Sequence, residues 1–174
     1  MKKIFTLLAL TITFSMNGQM TDNSGITSAT GSNAVAMGFG TTASGSISTA
    51  IGNANEASGT FSTSMGVSTL ASGYGSTSMG NYTVANGWYS TAMGYYATAS
   101  GSYSTAIGLY ATASDYSSTV IGQHNSSGSS VTNNATSFST SNTAFVIGNG
   151  ENSDNKSDAF KVMFDGTTTI AGDL

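Results

Sequence analysis

A large apolar residue followed by glycine returns at every fourteenth position along this chain: Met37-Gly38, Ile51-Gly52, Met65-Gly66, Met79-Gly80, Met93-Gly94, Ile107-Gly108 and Ile121-Gly122. Half a period ahead of these pairs' glycines stand Gly31, Gly45, Gly59, Gly73, Gly87 and Gly101, and Asp115 in the last unit. Residues 25–122 are thus seven equal units. A fixed period of this kind specifies stacked copies of one supersecondary unit, each contacting only its neighbours. Each half-unit ends in glycine, so one coil reads strand, turn, strand, turn, with strands of about five residues. Glycine at the corners would supply positive φ, and Asp115 is one of the few residue types that tolerate a left-handed backbone. Seven coils at strand spacing make a rod roughly 34 Å long.

The columns of the repeat assign roles. Ala29, Ala43, Ala57, Ala71, Ala85, Ala99 and Ala113 stand two positions ahead of the mid-coil glycine or aspartate, where a larger side chain would clash. In the second strand, as in Ser104-Thr105-Ala106-Ile107-Gly108, alternation places Thr105 and Ile107 on one face and Ser104, Ala106 and Gly108 on the other. Hydrophobicity predicts that the Ile/Met column fills the inside. The small column would then form a smooth outer face that another backbone can approach closely. A coil this thin buries little area against the ordering cost of so many Gly and Ser residues, so an obligate oligomer is expected.

With 7% charged residues and no Pro or Cys, the chain is neither an ordinary globular domain nor a highly charged disordered one. The half-coils Ser32-Asn33-Ala34-Val35-Ala36-Met37-Gly38 and Ser102-Tyr103-Ser104-Thr105-Ala106-Ile107-Gly108 resemble the head repeat of YadA-like trimeric autotransporter adhesins. The resemblance covers residues 25–122 and, less regularly, Ala144-Phe145-Val146-Ile147-Gly148. It implies an all-β, left-handed parallel β-roll, a homotrimer, and an extracellular protein or glycan ligand. Handedness and the number three come from the resemblance; the repeat itself predicts only a roll that needs partners. Neither a heptad stalk nor membrane-anchor strands are recognisable in these residues, so self-anchoring is not expected of them.

Residues 1–19 read as a signal peptide. Lys2 and Lys3 precede an apolar run, Ile4 to Phe14, that is too short for a bilayer span of about 20 residues. Cleavage is placed near Gly18 or Gln19, and the absence of a following Cys excludes a lipid anchor. Processing leaves Lys156 and Lys161 against eight acidic residues, a net charge of −6, which gives nucleic acid no electrostatic footprint. No second hydrophobic segment would hold the mature chain in a membrane. An exported protein, extracellular or on the outer cell surface, is expected.

After Gly122 the period breaks until Gly148, nearly two periods on, so residues 123–143 form a Ser/Asn-rich insertion. Residues 144–174 then comprise a last roll-like strand and a closing β-hairpin turning at Asp165-Gly166.

No catalytic, metal or cofactor constellation can be assembled. His124 is the only histidine and reads as a solvated loop residue. Glu56 and Asp115 are the only charges within the roll and stand several coils apart, which rules out a cooperating acid–base pair. The turn from Asn149 to Asp158 lacks EF-hand spacing and reads as hydrated. The aromatics carry more information. Tyr82, Tyr96 and Tyr110 share one column, while Tyr74, Trp88, Tyr89, Tyr103 and Tyr116 follow the mid-coil corner. They either stack on one another and lock the coils, or offer Tyr82, Tyr96, Tyr110, Trp88, Tyr89 and Tyr103 to a ligand. The expected function is a non-catalytic, adhesin-like binding and spacing module. The alternatives are an ice-binding protein presenting the column Thr49, Thr63, Thr77, Thr91, Thr105 and Thr119, or a tail-fibre-like structural segment. A polysaccharide-degrading β-helix would need a wider coil and a cluster of acids.

Overall fold

The computed structural model describes residues 18–20 and 27–172, and their secondary structure is strand and turn only. The apolar run of the expected signal peptide lies outside the described residues. Gly18–Met20, which spans the expected cleavage region, pairs in parallel with Val35–Phe39.

Each coil contributes one long and one short strand, so the expectation of two equal strands per coil holds for only one half. The long strands are Val35–Phe39, Thr49–Asn53, Thr63–Val67, Thr77–Asn81, Thr91–Tyr95, Thr105–Leu109 and Thr119–Gln123. The short ones are Ser28–Ala29, Thr42–Ala43, Glu56–Ala57, Leu70–Ala71, Val84–Ala85, Thr98–Ala99 and Thr112–Ala113. All pair in parallel with the equivalent residues one coil on, as Thr91 with Thr105 and Ala85 with Ala99. Two sheets result, of eleven and seven strands, and the sequence period is the register of both.

The interior reverses the expected assignment of faces. Ala36, Ala50, Ser64, Ser78, Ala92 and Ala106 are fully buried, whereas the neighbouring Ile/Met column points away from the lumen, with Met65 37% and Ile107 40% exposed. Ala29 to Ala113 line the same lumen from the short sheet. The reason is the width of the coil. With so short a turn the two sheets stand so close that small side chains, mostly Ala, Ser and Thr, fill the lumen. Valine enters that column only at its C-terminal end, at Val120 and Val146, and Ile or Met would overpack the coils before it. Midway along the stack the lumen turns polar. Thr69 donates its hydroxyl to Asn55 Oδ1 (2.9 Å), and the hydroxyls of Ser64 and Thr69 (2.6 Å) and of Ser78 and Thr83 (2.8 Å) pair. These bonds offset the cost of burying the groups.

The two glycine columns have different causes. Gly38, Gly52, Gly66, Gly80, Gly94, Gly108 and Gly122 lie at φ +97° to +136°, a region open to glycine. Gly31 to Gly101 do not have positive φ; a Cβ there would overlap the backbone carbonyl of the next coil. Asp115 therefore does not occupy a left-handed corner. It stands where that column ends, buried, and its carboxylate accepts the amides of Thr132 (2.6 Å) and Thr143 (2.8 Å).

The insertion carries no strand from residue 124 to residue 142 and caps the short sheet. Asn125 imitates a strand residue, its carboxamide exchanging two 2.8 Å bonds with the backbone of Thr112. Ser114 and Tyr116 donate their amides to Gly128 O and Asn134 O, both at 2.9 Å. The C-terminal edge of the short sheet is thereby covered. Thr143–Asn149 resumes the long sheet in parallel with Thr119–Gln123, then pairs antiparallel with Asp158–Met163, which pairs with Thr168–Ile170 across the expected turn.

Candidate functional site

The corners carry the aromatic residues. Every coil turns through two left-handed residues. One column holds Ile47, Phe61, Tyr89 and Tyr103 (φ +54° to +61°); the other holds Tyr82, Tyr96, Tyr110 and His124 (φ +42° to +54°). Left-handed geometry costs an L-residue roughly 1–2 kcal/mol. It is held here by hydrogen bonds to the preceding coil: the amides of Tyr82, Tyr96 and Tyr110 donate to Val67 O, Asn81 O and Tyr95 O at 2.8–2.9 Å.

One coil repeat sets the rings at near-stacking distance. Tyr82 and Tyr96 lie 4.7 Å apart at 10°, Tyr96 and Tyr110 4.8 Å apart at 1°, and Tyr110 and His124 4.8 Å apart at 15°. His124 is thus buried as the last member of a ring ladder, not a solvated loop residue; its offset of one full period from Tyr110 was the signal in the sequence. On the other corner Tyr89 and Tyr103 stack at 5.3 Å and 16°, with Tyr74 edge-on to Tyr89. These stacks use both ring faces of Tyr96 and Tyr110 and one face each of Tyr82, Tyr89 and Tyr103 within the chain.

Lost hydration, followed by the neighbouring phenols Tyr95 and Tyr110, raises the pKa of Tyr96 above its ordinary value. Tyr89 is raised by lost hydration and by Tyr74. A raised phenol pKa favours the neutral ring in the folded state. Its contribution is complete below the ordinary tyrosine pKa and is lost as pH rises through the folded value. Tyr96→Phe, which keeps the ring, is expected to move the alkaline unfolding midpoint to higher pH in a circular dichroism titration; an unmoved midpoint would remove the ladder from the alkaline limb.

Trp88 differs from the other aromatics. It is 64% exposed, sits 6.2 Å from Tyr74 at a 46° tilt, and borders a cavity of about 320 Å³ with Asn86, Gly87, Ser100, Ser102 and Thr136. Of the six aromatics singled out in the sequence, only Trp88 meets this cavity, and Thr136 of the insertion, which sequence reading did not single out, closes one side.

Among the described residues no group of three or more His, Cys, Asp or Glu could hold a metal ion, and no helix is long and apolar enough to cross a membrane. The exposed indole and the neighbouring hydroxyls can stack and hydrogen-bond.

A search of curated proteins finds no match to the chain. A family model described as YadA head domain repeat (2 copies) matches in overlapping windows, residues 29–55, 48–69, 57–83, 71–97, 85–111 and 99–125.

Proposed function

The chain belongs to the YadA head domain family, and on that premise we propose that it is the adhesive head of an exported surface protein, assembled from three copies and free of catalysis. Such a head binds extracellular protein or glycan through its corners and sets their distance from the cell. The observation that carries this reading is the outward apolar face of the long sheet. The Ile/Met column from Met37 to Ile121 runs along the whole stack on the side away from the lumen. It is flanked by Thr and by a column that mixes Phe39, Val67, Tyr95 and Leu109 with Asn53, Asn81 and Gln123. A contiguous apolar stripe of this kind marks an interaction surface. An Ala- and Ser-filled lumen gives a single chain little apolar burial, and association of copies through the stripe supplies it. The expected leader, residues 1–19, and the division into roll (25–122), insertion (123–143) and closing segment (144–174) complete the proposal.

The test is the solution molar mass of residues 20–174 by light scattering, with a circular dichroism spectrum of the same sample. A β-rich particle of three chains, which coats beads and makes them adhere to matrix proteins or glycans, is the expected result. A folded single chain would overturn the assembly.

A further inference from the structure

We propose that the cavity beside Trp88 is a binding site for a neutral sugar. This deepens the adhesive reading and rests on it. The cavity exists because the insertion stops short. Ala135 O accepts the amide of Ser102 at 2.7 Å and Asn134 O that of Tyr116 at 2.9 Å, so the loop covers the corners of two coils and leaves the indole one coil below uncovered. Thr136, held by its amide on Asn134 Oδ1 (2.9 Å), overhangs the opening. At about 320 Å³ the cavity is at the small end of ligand sites, which suits a short sugar.

Its lining selects the class. One indole, free of parallel stacking, shares the cavity wall with Ser100, Ser102, Thr136 and Asn86, the Ser100 hydroxyl donating to Ser114 Oγ at 3.1 Å. A pyranose ring presents C–H bonds on its face and hydroxyls around its rim, which matches an aromatic plane edged by hydrogen-bonding groups. None of the six lining residues is charged, so an acidic or phosphorylated sugar would lose hydration without a counter-charge. An extended peptide finds no free strand edge there, because Asn86 and Ser100 donate their amides to Ala99 O and Ala113 O. Gly87 is required by the stack itself, since a Cβ there would overlap the carbonyl of Gly101 in the next coil.

Trp88 is the sole tryptophan among eight tyrosines, so indole fluorescence excited beyond the tyrosine absorption band reports on this site. The full chain is titrated with glucose, galactose, N-acetylglucosamine, lactose and chitobiose, and binding is measured in parallel by calorimetry. A saturable fluorescence change with at least one probe is expected. Trp88→Ala and Thr136→Arg should each lower that affinity roughly tenfold or more, and Glu151→Gln, in the exposed turn after the roll, should leave it unchanged. No response to any probe, unchanged affinity in Trp88→Ala, or an altered molar mass in that variant would each overturn the assignment, the last by placing the indole between copies. Beads coated with Trp88→Ala that adhere to matrix protein as wild type does, with no sugar response from either, would remove the sugar site and leave the adhesive head standing. Sugar binding by a chain whose coated beads adhere to nothing would support the site and remove the adhesive reading.

Discussion

Gly108→Val is expected to prevent the roll from folding. Gly108 lies at φ +136°, and a Cβ placed on it would overlap the carbonyl oxygen of Gly122 in the next coil. The backbone cannot relax in either direction. Rotating φ distorts the strand Thr105–Leu109 at its fourth residue, and separating the coils breaks the ladder between it and Thr119–Gln123. The loss should fall in the exceptional class of single substitutions, on the order of 4 kcal/mol or more, against a total stability of about 5–15 kcal/mol for a domain. Circular dichroism should then show no cooperative melting at the wild-type temperature. Ser68→Gly is the matched control. At φ +53° it relieves left-handed strain at a corner and should melt at or above the wild-type temperature. A Gly108→Val chain melting within a few degrees of wild type would contradict this coil geometry.

Lysine at both Met93 and Ile107 should break the proposed three-chain particle into single chains of lowered melting temperature. These residues are register partners in adjacent coils and face away from the lumen, so the double variant sets two like charges within one strand spacing on the proposed contact face. Burying either ammonium between copies without a partner would cost more than the contact returns. Light scattering checks the outcome, and an undiminished mass would move the contact elsewhere. Ala106→Leu separates the two faces of the same strand. Ala106 is fully buried in the lumen, so added volume should cost about 1–3 kcal/mol by overpacking while leaving the mass unchanged.

The candidate site was only partly legible. Equal offsets of one period brought Tyr82, Tyr96 and Tyr110 into one column, and His124 extends it by the same offset. Column membership does not reveal ring orientation, however, and a ladder that spends its faces internally reads the same as one that offers them. The cavity at Trp88 depends on Thr136, several coils downstream in a segment without periodicity. Only the hydrogen bonds that fold the insertion back over Ser102 and Tyr116 create it.

The sequence by itself determined the period, and the period determined the parallel stack, its register, the place where the roll breaks and the turn at Asp165-Gly166. Tertiary structure alone decided which face of each long strand turns inward. Alternation divides Thr105 and Ile107 from Ala106 but is symmetric under exchange of inside and outside, and hydrophobicity favoured the wrong choice. The distance between the two sheets breaks that symmetry, and a coil this short closes on a lumen only wide enough for small side chains such as alanine and serine. The spacing of successive coils, a separate constraint, explains Gly31 to Gly101, whose neighbour is the backbone of the next coil, and Asp115, whose side chain has room only because that column ends there.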